Sequence, residues 1–224
     1  MDDALLLQVT IAQDIKKIFK VLRKKIVGRK ISPGTRLREG DLALEFDVSR
    51  AKIREVITLL EHRGLIERQT NKGAVVRMYS LDELLDRFEI FGVLFGLATY
   101  QATKFSKSGT WQPFLSFLEK ADNSDISESF IRKLLGELYK MQRQVILAAN
   151  NDPLAAMIFQ YYDILGPYIQ KVFLVSQNPS DAIKAHKAIM EAMEKGEAAE
   201  AERLRREQLH GTQATLVKYY DLIV

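Results

Sequence analysis

The chain has 224 residues, 47% of them hydrophobic and 28% charged, which is ordinary globular composition at a length for one or two domains. Its formal charge is +4 and it holds no cysteine, so disulfides, zinc fingers and thiol catalysis are excluded and a reducing, cytoplasmic setting is expected. No apolar run approaches the roughly 20 residues that span a bilayer. The opening MDDALLLQVT sets its apolar run behind two Asp, so no signal peptide and no membrane partner is expected.

The charge is uneven. Residues 1–80 carry 17 Lys and Arg against 10 Asp and Glu, and the remainder carries 16 against 19. A basic front and a mildly acidic rear predict two parts with different partners.

Residues 5–27 read as a first helix, with Val9, Ile11, Ile15, Ile18, Phe19, Leu22 and Ile26 at three- and four-residue steps and Gly28 closing it. A turn on Pro33-Gly34 leads into a short extended piece. REGDLALEFDV gives a short second helix with Leu42, Ala43 and Phe46 inward. SRAKIREVITLLEHRG is the third, capped by Ser49 and stopped by Gly64. Its apolar stripe is Ile53, Val56, Ile57 and Leu60. LIERQ and AVVRM are strand candidates around TNKG, a hairpin turn. From Ser80 onward the strand signals stop. Six or seven helices are expected there, with a kink or break at Gly166-Pro167. The fold class is therefore mainly α: a winged helix-turn-helix of three helices plus a β-hairpin over residues 1–79, then an all-α antiparallel helical bundle over residues 80–224.

In a winged helix-turn-helix the later helix of the pair enters the major groove by its N-terminal residues. Arg50 and Arg54, at i and i+4, share one flank of the third helix, where the helix dipole disfavours cations. They suit guanine O6 and N7, or phosphate. Both are expected to project outward, clear of the chain's own carboxylates. Ser49 and the helix amides suit a phosphate oxygen, and Lys72 with Gly73 at the hairpin tip suits backbone or minor-groove contact. Arg38 and Lys52 complete the expected DNA-binding set with Ser49, Arg50, Arg54, Lys72 and Gly73.

The stretch from Pro33 to Val76 resembles the GntR-type regulators. Their pattern is matched by Pro33, Gly34, Leu37, Glu39, Leu42, Ala43, Val48, Ser49, Arg50, Arg54, Glu55, Leu60, Gly64, Leu65 and Gly73. The resemblance implies DNA contact through Ser49, Arg50, Arg54 and the wing around Lys72-Gly73. Two positions depart from it. Ala51-Lys52-Ile53 replaces the usual residues between the two Arg, and Gly40 stands where some members carry Arg. Both imply a different operator sequence.

The rear part is similar to the FadR C-terminal (FCD) subgroup, on LAANND, HKAIMEAMEKGEAAEAERL and the helix count. That resemblance implies a divalent metal on an Asp, a His four residues on, and two later His, together holding a small carboxylate. Here those positions are Leu138, Gln142, His186 and Gln208, and His210 falls two residues beyond the last. One imidazole and two amides make a poor divalent site, so no metal and no cofactor is expected. Phe91 stands where the subgroup often has an Arg for the effector. Phe91, Phe95, Leu138, Gln142, His186 and Gln208 are the expected effector pocket, and with no cation there a small polycarboxylate is not the expected effector.

The expected function is a homodimeric, sequence-specific regulator of transcription that binds double-stranded operator DNA and senses a small molecule. A helical metal-dependent enzyme, or an adaptor that does not bind DNA, is the alternative. Against the enzyme, the only histidines are His62, His186 and His210, no two at i and i+4, and no nucleophile elbow, phosphate loop or His-Glu-x-x-His is present.

Overall fold

The computed structural model of the chain describes residues 12–122, 127–175 and 179–223. The chain divides into two compact units, one of residues through Ser80 with Phe159–Pro167, the other of Leu81–Ile158 with Tyr168–Val224.

The first unit opens with α1 (Gln13–Val27), whose Ile15, Ile18, Phe19, Leu22 and Ile26 are buried. Val9 and Ile11 lie outside the described residues. β1 (Arg36–Leu37), α2 (Glu39–Glu45), α3 (Arg50–His62), β2 (Ile66–Gln69) and β3 (Gly73–Val76) follow. The stripe of α3 is fully buried: Ile53, Val56, Ile57 and Leu60 are all 0% exposed. They pack with the apolar faces of α1 and α2 and the inner face of the strands in one core. That burial, at about 1.5–3 kcal/mol per large side chain, fixes which flank of α3 is left for solvent.

The wing is larger than a hairpin. Leu37 of β1 pairs with Ala74 and Arg36 with Val75, giving a three-stranded antiparallel sheet in the order β1-β3-β2. Gln69 opposite Gly73 sets the register of the tip. Asn71 (φ 65°) and Gly73 (φ 72°) are left-handed there, as such a tight tip requires. At the end of α3, Gly64 takes φ 73°. A Cβ at Gly64 would lie 2.7 Å from the Tyr79 hydroxyl, which donates to the Gly64 carbonyl at 2.5 Å.

The second unit is built from α4 (Leu81–Phe105), α5 (Gln112–Asp122), α6 (Glu128–Ala148), most of α7 (Asp152–Val175), α8 (Pro179–Glu194) and α9 (Ala198–Ile223). α4 packs against α6, α8 and α9, and α8 lies between α5 and α9. Ser127 caps α6, its Oγ accepting from Phe130 N at 3.1 Å. The Glu194 carboxylate accepts from the backbone amides of Gly109 (2.5 Å) and Trp111 (3.0 Å), tying the α4–α5 loop to the end of α8.

α7 does not divide at Gly166-Pro167; it runs as one helix with Pro167 inside it. Proline there cannot donate to the carbonyl of Asp163, four residues back. Leu165 (0% exposed) and Tyr168 (3%) anchor the helix on either side by burial, and packing overrides the local cost. No described helix is long and apolar enough to cross a membrane.

Candidate functional site

The expected residues fall in two groups, one in each unit. In the first, Ser49 is the N-cap of α3, its Oγ accepting from Lys52 N at 3.4 Å. Arg50 and Arg54 are exposed on the flank beside the buried stripe. Arg38, Lys72 and Gly73 are exposed as well, the last two at the wing tip. Among the described residues Arg50 has no ion pair, and its Nη2 lies 3.4 Å from where a Cβ on Gly40 would stand.

Among the described residues, two cations of the set are held in ion pairs within the chain. Arg54 donates from Nε to Glu39 Oε2 at 2.7 Å, so the expectation of two guanidiniums clear of the chain's carboxylates holds for Arg50 and fails for Arg54. The cause is the turn between α2 and α3, which brings the first residue of α2 beside the second turn of α3. The pair stays open to water, with Arg54 63% and Glu39 30% exposed. Lys52 turns toward α1 and pairs with Asp14, holding the Asp14 carboxyl below its ordinary range.

In the second unit Phe91, Phe95, Leu138, Gln142 and His186 are all buried, and Gln208 is half-buried. The Phe91 and Phe95 rings lie 5.5 Å apart. His186 Nδ1 is 2.7 Å from the Ala182 carbonyl, which can only accept, so that nitrogen carries the proton. Nε2 is then the acceptor of a neutral ring, and the Gln142 amide nitrogen 3.2 Å away is its donor. Burial first, and the positive charge of Arg205 second, push the His186 pKa down to about 4 against the opposing carbonyl bond.

Arg205 is the residue that the sequence reading passes over. It is 0% exposed, its Nη1 donates to Gln208 Oε1 at 3.1 Å, and its Cζ lies 4.5 Å from the Phe95 ring centroid. The inference that no cation borders this cluster is therefore corrected. A signal for it existed. Ala201 and Leu209, each four residues away, are buried on α9, so the stripe of that helix carries position 205 inward. Its neighbours Arg203 and Arg206 face out and pair with Glu200, Glu207 and Glu202.

These residues do not fit the subgroup's divalent metal. Leu138 has no donor atom, the acceptor nitrogen of His186 is taken by Gln142, and a guanidinium stands beside the ring. Among the described residues no three His, Asp or Glu gather in a way that holds a metal ion.

Comparison with known proteins agrees with this layout. Residues 14–76 match the model of the bacterial regulatory proteins of the gntR family, and residues 117–211 match the FCD domain. The HTH-type transcriptional repressor RspR of Escherichia coli K12 is 35% identical over 69 residues, 31% of this chain and 30% of RspR. The Nta operon transcriptional regulator of Aminobacter aminovorans is 31% identical over 124 residues, 54% of this chain and 57% of that protein. The chain thus aligns with under two thirds of the length of either relative. The structure of E. coli McbR/YncC has the same fold, with a TM-score of 0.74 at 16% identity over 94% of this chain and 100% of the other. The chain thus carries a domain of the gntR family of bacterial regulatory proteins at residues 14–76, with an FCD domain behind it at residues 117–211.

Proposed function

We propose that the chain is a sequence-specific DNA-binding regulator of transcription, working in the cytoplasm as a homodimer. Residues 1–79 bind operator duplex, and residues 80–224 join two copies and sense a small molecule. One observation carries this reading: beside the fully buried stripe of α3, Ser49, Arg50 and Arg54 are exposed at the N-terminal end of the helix. That is the end a recognition helix presents to base edges. Arg38 and the wing residues Lys72 and Gly73 supply backbone contacts. The named roles of RspR and the Aminobacter relative, a repressor and an operon regulator, support it.

The sensing site is the buried cluster of Phe91, Phe95, Leu138, Gln142, His186 and Gln208, to which Arg205 is added. Three apolar side chains and one guanidinium suit a small, largely apolar effector bearing a single acidic group better than a polycarboxylate. Neither metal nor cofactor takes part, and the chain is not an enzyme. An effector acts on DNA binding only through unequal affinity for two states of the dimer.

The test is a binding titration. Duplexes are selected from a random pool by the full chain, and affinity is measured against a shuffled duplex of the same composition at several salt concentrations. Preference for the selected duplex, with log affinity falling linearly against log salt, is expected. Equal affinity for both duplexes, or none for either, overturns the reading.

A further inference from the structure

A carboxylate on a face built to meet phosphates is electrostatically costly, because it repels every duplex whatever its sequence. Glu39 stands on that face. It is the first residue of α2, and its Oε2 accepts from Arg54 Nε at 2.7 Å. The pair does little for the fold, since exposed ion pairs contribute little. Its benefit lies elsewhere.

The geometry at Arg54 supplies one. A guanidinium has five N–H donors in a planar fork. Glu39 is bonded to the donor nearest the chain, Nε. The Nη donors at the far end remain, and that end-on edge grips guanine O6 and N7. A guanidinium held at Nε presents the edge in one orientation and loses little side-chain freedom on binding. The repulsion itself is common to every duplex and cancels in the comparison of right and wrong sequences, so the orientation of the fork is what discriminates.

We infer that Glu39 is a positioning residue for operator recognition: it aims Arg54 at a base. This rests on the DNA-binding reading above. Removing Glu39 then loosens discrimination without weakening the attraction to DNA in general.

The experiment uses the full chain with the selected and shuffled duplexes. In Glu39→Ala the ratio of the two affinities falls about tenfold, the worth of one well-placed base contact, while affinity for the shuffled duplex is unchanged or higher. Glu39→Gln, which keeps an oxygen for Nε, retains part of the ratio. In an Arg54→Ala background the Glu39→Ala change leaves the ratio where it was. Thermal unfolding of each variant confirms that the fold is intact. A wild-type chain that prefers the selected duplex while Glu39→Ala keeps the full ratio overturns this inference and leaves the DNA reading standing. So does an equal fall in ratio with and without Arg54. A wild-type chain with no preference overturns the DNA reading itself.

Discussion

Arg23 and Asp163 are joined at two points, Nε to Oδ2 at 2.6 Å and Nη2 to Oδ1 at 2.5 Å. Asp163 is 4% exposed, and it also accepts from Arg63 Nη1 at 3.1 Å. Asp163 lies on α7, yet it belongs to the same compact unit as both arginines. It is the one buried carboxylate among the described residues. Asp163→Ala therefore leaves the buried Arg63 facing a lost counter-charge. Removing one partner of such a pair costs about 3–5 kcal/mol. A marked fall in the urea midpoint at neutral pH is expected, and a smaller one for Arg23→Ala, whose guanidinium reaches water. An unchanged midpoint in Asp163→Ala refutes the assignment.

Ser49 serves both the fold and the proposed interface, and two substitutions separate these roles. Ser49→Ala removes the acceptor for Lys52 N and costs about 1 kcal/mol of stability. Ser49→Asp caps as well as serine and restores the melting temperature. Its charge, set where a phosphate is expected, lowers DNA affinity below that of Ser49→Ala. Melting curves and duplex titrations on both variants check this. Equal DNA affinity in the two removes Ser49 from the interface.

How much of this was legible follows from how local each feature is. The stripe Ile53, Val56, Ile57 and Leu60 is a helical period, and the cap and stop at Ser49 and Gly64 are single-residue signals, so α3 reads directly. The two residues of β1 are too few for any period, and only pairing with Val75 and Ala74 makes them a strand. α7 continues through Pro167 where a break is one of the two local expectations, because burial of Leu165 and Tyr168 lies outside any local rule. Glu39 with Arg54, and Asp163 with Arg23, join residues 15 and 140 positions apart, which no periodicity links. Arg205 is the instructive miss. Its place in the α9 stripe was readable, and its charge hid it among three arginines.

Stability should depend on pH through His186. Its folded pKa is about 4 against an ordinary 6.5, lowered by burial and then by Arg205. Between those values the unfolded chain binds more protons than the folded one, so stability rises with pH across that window. The contribution is fully present above pH 6.5 and is lost as pH falls toward 4. His186→Gln does not titrate. Urea midpoints at pH 5 and pH 7 should differ less in this variant than in the wild type, the background slope from carboxylates being common to both. Equal differences would show that His186 is not buried as a neutral ring.

Arg50 and Lys72 should fail in different ways. Arg50 stands at the first turn of α3, exposed and without an ion pair among the described residues, in the position from which a recognition helix reads a base. Arg50→Ala is expected to cost roughly 1–3 kcal/mol on the selected duplex and to relax preference at one base pair. Lys72, exposed at the wing tip beside Gly73, is proposed to meet phosphate. Lys72→Ala should weaken all duplexes alike and make the slope of log affinity against log salt shallower by about 1. Titrations over single-base variants of the selected duplex, repeated across salt, resolve the two patterns. Uniform weakening by Arg50→Ala would move Arg50 from base to phosphate, and a base-specific effect of Lys72→Ala would place the wing in a groove.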